Sequence, residues 1–232
     1  MKTLGLSNGE TSSVCLFVDG KLVSAVSEER FSRVKMDEAF PLRALDWLLR
    51  HHSLALHDID EVAYAWKKGF DEGLLAHYTR KAAELRERDP HALEIFEERM
   101  ASEIDRDQPA HDEFWSWARS ELTDEQFRSI RVFYHHEAHA LSAALLSPFN
   151  DSMVLTIDGR GDFESLTVYE FRRDAAKPLN KVHFLDSSDS LGFFCTAVSL
   201  DCSATNRVDT KARSPGWLPM VMLTVPCHLC AP

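Results

Sequence analysis

A chain of 232 residues with 44% hydrophobic and 27% charged side chains carries enough apolar surface for a packed core, which excludes disordered and fibrous classes. Its 37 acidic residues against 26 basic ones leave a net charge of -11, the wrong sign for non-specific binding to nucleic acid or an anionic membrane. No apolar run reaches the roughly 18 residues of a membrane span, and the opening Met1–Glu10 lacks the apolar segment of a secretion signal, so a cytoplasmic location is expected. The five cysteines (Cys15, Cys195, Cys202, Cys227 and Cys230) are odd in number and irregularly spaced, which is not a disulfide framework. Cys227-x-x-Cys230 has neither the second pair of a zinc site nor the following βαβ context of a redox motif.

The first elements read as strands. Val14-Cys15-Leu16-Phe17-Val18 and Lys21-Leu22-Val23-Ser24-Ala25-Val26 flank Asp19-Gly20. A type I′ turn needs positive φ at both central residues, and Asp-Gly supplies it, so this segment is predicted to be a β-hairpin. A charged stretch, Ser27–Lys35, follows. Pro41, with Leu42, Leu45, Leu48 and Leu49 at helical spacing, predicts a helix start. Glu61–Trp66 reads as a strand. Residues 71–129, rich in Glu, Arg, Lys and Ala, are expected to form a solvated helical insertion of two or three helices, broken near Pro90 and Pro109. Beyond it come a strand at Ile130–Tyr134, a helix at His135–Leu146 stopped by Pro148, and a buried strand at Met153–Asp158. A further strand is expected at Ser165–Phe171, and a helix opening at Ser190–Phe194. This alternation implies a mixed α/β sheet.

His135 and His139 stand four residues apart on the predicted helix, so both imidazoles leave one face. Such a pair serves as metal ligands, or as exposed or capping histidines. Asp158 ends an apolar strand beside a glycine, where a carboxylate projects into a cleft. Two imidazoles and a carboxylate suit a divalent transition metal such as iron or zinc. His136 lies one residue off that face and is expected to point elsewhere. His136-Glu137 does not open a zinc-protease motif, because the second histidine would fall at Ala140. Arg160-Gly161-Asp162 reads as a phosphate-approach turn rather than an adhesion sequence. The opening Gly5-Leu6-Ser7-Asn8-Gly9-Glu10-Thr11-Ser12-Ser13 resembles the first phosphate-facing hairpin of the actin-like ATPase fold. Asp158-Gly159-Arg160-Gly161-Asp162 would be its second glycine-bearing turn, with Gly159, Gly161 and Asp162 placed to cradle a phosphate or acyl-adenylate through backbone N–H groups.

Four stretches together resemble the N-terminal domain of carbamoyltransferases of the nodulation and antibiotic-biosynthesis type. They are Asp19–Val23 through Glu28-Glu29-Arg30-Phe31-Ser32-Arg33; Tyr134-His135-His136-Glu137-Ala138-His139-Ala140 with Ser147-Pro148-Phe149; Thr156-Ile157-Asp158-Gly159 with Gly161-Asp162; and Ser190-Leu191-Gly192. The resemblance covers about residues 3–197. It implies a partial actin-like (Kae1-like) domain, a mixed sheet with a hairpin start and a helical insertion, over residues 1–198. In the family a YrdC-like domain follows and makes carbamoyl-adenylate from carbamoyl phosphate and ATP. The Kae1-like domain, holding iron, passes the carbamoyl group to a hydroxyl or amine of a small-molecule acceptor, with no nucleic acid or membrane involved. By position, His135, His139 and Asp158 match the family's ligands for Fe(II) or another divalent metal, while a fourth ligand, an aspartate far downstream, has no counterpart. Lys35 matches a basic residue near the carbamoyl intermediate, where its charge stabilises a developing oxyanion. The family's usual His-Asp pair in the opening turn is replaced here by Glu10-Thr11. Glu10 is then the candidate base, or a plain turn residue.

From about Ser199 the character changes. Cys202, Cys227 and Cys230, three of the five cysteines, fall in 199–232, as do Pro215, Pro219, Pro226 and Pro232, four of the nine prolines, and no strand or helix period is sustained. The family continues here with HEGK-type and GLAAYG-type stretches. Codons for Leu200–Pro232 exist whose neighbouring frame reads both, so the tail is expected to be an out-of-frame product of a slip near Val198–Leu200. The coding DNA tests this: the idea fails if no single-base edit restores that continuation. Because catalysis needs the whole constellation held in place, little or no turnover is expected from this chain by itself. Two other readings compete: a non-catalytic metal- or nucleotide-binding remnant, and a threonylcarbamoyl-type transferase. Glu28-Glu29-Arg30-Phe31-Ser32-Arg33 argues against the latter.

Overall fold

The computed structural model describes residues 1–9, 11–66, 72–190 and 221–226, without the side chains of 72–74, 103, 104, 106, 107 and 221–226. The chain divides into two units, Met1–Gly69 with Met100–Phe133, and Phe70–Arg99 with Tyr134–Pro232.

In the first unit, apolar and polar residues alternate along β1 (Lys2–Ser7) and β2 (Ser13–Val18), so Leu4, Leu6, Val14 and Leu16 all face inward and are buried. These strands join β3 (Lys21–Ser27), β4 (Glu61–Tyr64) and β5 (Arg131–Val132) in a sheet of order β3-β2-β1-β4-β5. The β1–β2 and β2–β3 pairs are antiparallel, and the β1–β4 and β4–β5 pairs parallel. This is the expected mixed sheet with a hairpin start. The β2–β3 turn takes the predicted form, with Asp19 at φ 49° and Gly20 at φ 75°. A short helix, α1 (Glu29–Ser32), precedes α2 (Leu42–His51), which buries Ala44, Leu45 and Leu48 and leaves Leu42 exposed at its first turn.

The insertion forms α3 (Glu72–Arg88), α4 (Pro90–Glu121) and α5 (Asp124–Arg128). Pro90 opens α4, as its fixed φ favours. The break expected at Pro109 is absent, because α4 continues through that residue. An interior proline costs a helix about 3 kcal/mol. Beyond Pro109, α4 buries Phe114, Trp117 and Ala118 in the first unit's core, with Phe114 stacked on Tyr64 at a ring separation of 3.7 Å. Burial of two aromatic rings offsets the proline.

The second unit holds an antiparallel sheet of order β8-β7-β6-β9, formed by β6 (Asp151–Gly161), β7 (Glu164–Arg172), β8 (Leu179–Asp186) and β9 (Val221–Pro226). α6 (His135–Leu146) packs Ala140 and Ala144 against Val154, Tyr169, Phe171 and Leu179. The small alanine side chains let the helix backbone approach the sheet closely. α3 is tied to the end of β8. There Lys81 Nζ donates to Asp186 Oδ2 (2.8 Å), Ser188 Oγ (2.7 Å) and Asp189 Oδ2 (2.7 Å), and His77 Nε2 meets the same Asp186 oxygen at 2.8 Å.

The stretch after Ser199, in which no strand period was expected, supplies β9, which pairs Val221–Pro226 with Ile157–Ser152. The run Val221-Met222-Leu223-Thr224-Val225 is apolar and β-prone, and β6 offers it an edge whose N–H and C=O groups need partners. The helix expected to open at Ser190 lies, from residue 191 onward, outside the described residues.

Candidate metal centre

The centre is built where the first turn of α6 meets the end of β6. Regular β6–β7 pairing runs from Asp151 to Ile157, then breaks before resuming at Gly161 opposite Glu164. A bulge re-aims side chains, and Asp158 is the first residue released from the ladder. Ser190 Oγ donates to the Gly159 carbonyl at 2.7 Å, pinning the irregular segment. Asp158 Oδ1 accepts from Gly159 N (2.5 Å), which leaves Oδ2 facing His135 Nε2 at 3.1 Å. One helical turn along, His139 Nε2 stands 2.8 Å from His135 Nε2, with the two rings edge to face. The three ligand atoms all lie within 4.8 Å of one another.

This donor set fits a divalent cation. Two metal–ligand bonds of about 2.1 Å at a right angle put their ligand atoms about 3 Å apart, close to the separations seen here. A single ring proton bridges only one pair among the three atoms, whereas a cation accepts a lone pair from each. Two imidazoles and one carboxylate form the facial set typical of non-haem Fe(II), with further coordination positions left open, and zinc accepts the same donors.

The electrostatics favour ligation. Burial, helped by the neighbouring His135, pushes His139 down to about 4, so its ring is neutral and carries a free lone pair at pH 7. For Asp158, burial works upward, but the His135 hydrogen bond, the charge of that ring and the Gly159 N–H outweigh it and hold the carboxyl below its usual range. His136 turns away from the centre and is fully buried. Its Nδ1 is 2.6 Å from Thr156 Oγ1 and its Nε2 3.0 Å from the Glu164 carbonyl. The carbonyl can only accept, so Nε2 carries the proton and Nδ1 accepts from Thr156. Burial first, and then His135, push His136 down to about 3.

Comparison with known proteins places the chain in a family. The family described as Carbamoyltransferase N-terminus matches residues 2–211. The chain belongs to this family. Within curated proteins it is 30% identical over 174 residues to the nodulation protein NolNO of Sinorhizobium fredii, covering 75% of this chain and 22% of that protein. It is 28% identical over 190 residues to the uncharacterized protein sll1178 of Synechocystis sp., covering 80% of this chain and 29% of that protein. The chain therefore spans less than a third of the length of either relative. Among solved structures it is similar to YeaZ from Pseudomonas aeruginosa, at a TM-score of 0.37 and 12% identity, covering 80% of this chain and 66% of that one.

Of the residues singled out for this carbamoyltransferase-family chain, the structure brings His135, His139 and Asp158 together. Gly159 has open space where a side chain would stand, while its N–H donates to Asp158 and its carbonyl accepts from Ser190. Gly161 and Asp162 turn inward: a Cβ on Gly161 would fall 2.3 Å from His135 Cδ2, and the Asp162 carboxylate is buried against the His135 backbone. Lys35 belongs to the first unit, where its exposed ammonium pairs with Glu29 at 3.1 Å. Glu10 lies outside the described residues. Sequence reasoning gave no role to Thr156 or Ser190. Thr156 left a signal, a hydroxyl on the inward-facing row of an apolar strand, where it is fully buried and hydrogen-bonded to both His136 and Thr167. Among the described residues no helix is long and apolar enough to cross a membrane.

Proposed function

We propose that this chain is the metal-binding portion of a carbamoyl-transfer enzyme. In this reading His135, His139 and Asp158 hold Fe(II) or another divalent cation. The carbamoyl group comes from carbamoyl-adenylate, made from carbamoyl phosphate and ATP, and goes to a hydroxyl or amine of a small molecule. The observation that carries the reading is the convergence of two imidazoles and a carboxylate, their ligand atoms within 4.8 Å of one another, in a chain of this family. A bound cation there supplies Lewis-acid polarisation of an oxygen on donor or acceptor. The chain's own groups have defined tasks: His139 and Asp158 stay unprotonated at neutral pH, the Gly159 N–H orients the carboxylate, and the open face at Gly159 admits a ligand's polar end.

The test is anaerobic Fe(II) loading, followed by isotope-labelled carbamoyl phosphate, ATP and a panel of small hydroxyl and amine acceptors. Label transfer that is lost in His139→Ala supports catalysis by this chain. Metal uptake without transfer supports the second reading, binding without turnover. Absence of both refutes the proposal.

A further inference from the structure

The first turn of α6 carries its own end-group problem. Its four leading N–H groups have no intrahelical acceptor, and Tyr134, at the N-cap position, makes no side-chain cap. An acceptor arrives from 27 residues away: Asp162 Oδ2 takes the His135 N–H at 2.6 Å. Asp162 is buried, and it stands at φ 55°, a left-handed conformation that most side chains disfavour and that Asp and Asn tolerate best. A strained backbone position therefore presents a carboxylate to the helix terminus, where negative charge is favoured. The residue it reaches is His135, whose ring nitrogen is the middle atom of the triad.

Three contacts from one hairpin end converge on His135. Asp158 faces its Nε2, the bare Cα of Gly161 lets its ring sit against the strand, and Asp162 holds its backbone. His136, anchored to Thr156 and to the Glu164 carbonyl, fixes the next residue of the same turn to the same hairpin.

We propose that Asp162 is a positioning residue for the metal centre: by holding the His135 backbone N–H it sets the height and rotation of the first turn of α6, so that the His135 and His139 imidazoles meet Asp158 at ligand spacing. The proposal rests on the reading that His135, His139 and Asp158 bind a divalent ion. Asp162 touches neither ion nor substrate in this role; it acts through His135. Its conformation gives a clean substitution pair. Asp162→Gly accepts the left-handed φ more easily than aspartate and removes the acceptor. Asp162→Asn tolerates the same φ and keeps a carbonyl oxygen for the His135 N–H.

The experiment titrates Co(II) into the full chain and its two variants against a competing chelator. It follows visible absorption for coordination geometry and circular dichroism for the fold. Loss of an outer contact typically costs 10–100-fold in metal affinity. Asp162→Gly is expected to bind Co(II) at least tenfold more weakly, with an altered visible spectrum and a wild-type circular dichroism spectrum, and Asp162→Asn is expected to restore both affinity and spectrum. Wild-type affinity and spectrum in Asp162→Gly overturn the proposal, as does failure of Asp162→Asn to rescue. Unfolding of Asp162→Gly also overturns it, because the contact would then be a requirement of the fold rather than of the centre. If the wild-type chain takes up no Co(II), the metal-centre reading itself fails and takes this inference with it, a result distinct from the variant-specific ones.

Discussion

Replacing Gly161 with alanine tests whether His135 owes its place to the absence of a side chain on β6. The added Cβ would stand 2.3 Å from His135 Cδ2, 2.8 Å from His135 Cγ and 2.8 Å from His136 Cδ2. Ordinary contact begins at 3.4 Å, so one of the rings or the strand must retreat by about 1 Å. His136 is held at both ring nitrogens and fully buried, whereas the His135 side chain is partly exposed. The His135 ring therefore moves. Ligand distances tolerate about 0.2 Å, so a shift of this size takes Nε2 out of coordination. Metal affinity is expected to fall 10–100-fold, about 1.4–2.8 kcal/mol. Gly161 is not at positive φ, so the alanine adds no backbone strain of its own. Gly159→Ala, three residues after Thr156 in the same strand and with nothing within 4 Å of its Cβ, is the matched control and is expected to bind metal as the wild type does. Chelator-competed Co(II) titration of the three proteins provides the numbers. Equal affinity in Gly161→Ala and wild type would refute the packing argument.

Acid should weaken the metal-free fold before its carboxylates titrate. His136 has a folded value of about 3 against an ordinary 6.5, so between those values the unfolded chain binds the extra proton. Stability from this group is fully present above pH 6.5 and falls by about 2 kcal/mol on going from pH 7 to pH 5. His139, down to about 4, pulls the same way. Urea melts at the two pH values measure the loss, and identical midpoints would count against it. In the second unit, Lys81→Met removes three charge-assisted hydrogen bonds at the end of β8 and leaves the buried Asp186 without its cation, hydrogen-bonded to His77 and Ser188. A cost of about 2 kcal/mol is expected, read as faster hydrogen exchange across Glu72–Arg88. Unchanged protection there would contradict the tie.

The parts of the molecule legible from sequence are those settled by near neighbours. Asp19-Gly20 dictated its turn because two adjacent residues had to accept positive φ, and they do. His135 and His139 share a face because the helix repeat puts them there, and Asp158 projects because its strand stops being regular at that residue. What sequence pattern missed depends on partners far along the chain. Pro109 looked like a helix end because local propensity says so, while the burial of Phe114 and Trp117 carries α4 through it. Asp162 read as part of a phosphate turn, and nothing local shows that its carboxylate meets a backbone N–H 27 residues earlier. The tie from Lys81 to Asp186 spans 105 residues and leaves no periodic trace.

The most direct test is the metal content of the chain itself, loaded anaerobically with Fe(II), freed of excess ion by gel filtration and measured by elemental analysis beside Asp158→Ala and His139→Ala. The account predicts about one ion per wild-type chain and near-complete loss in both variants, all three retaining the same circular dichroism spectrum. A wild-type chain that emerges without metal, or variants that keep it, would contradict the claim that these three side chains form one site.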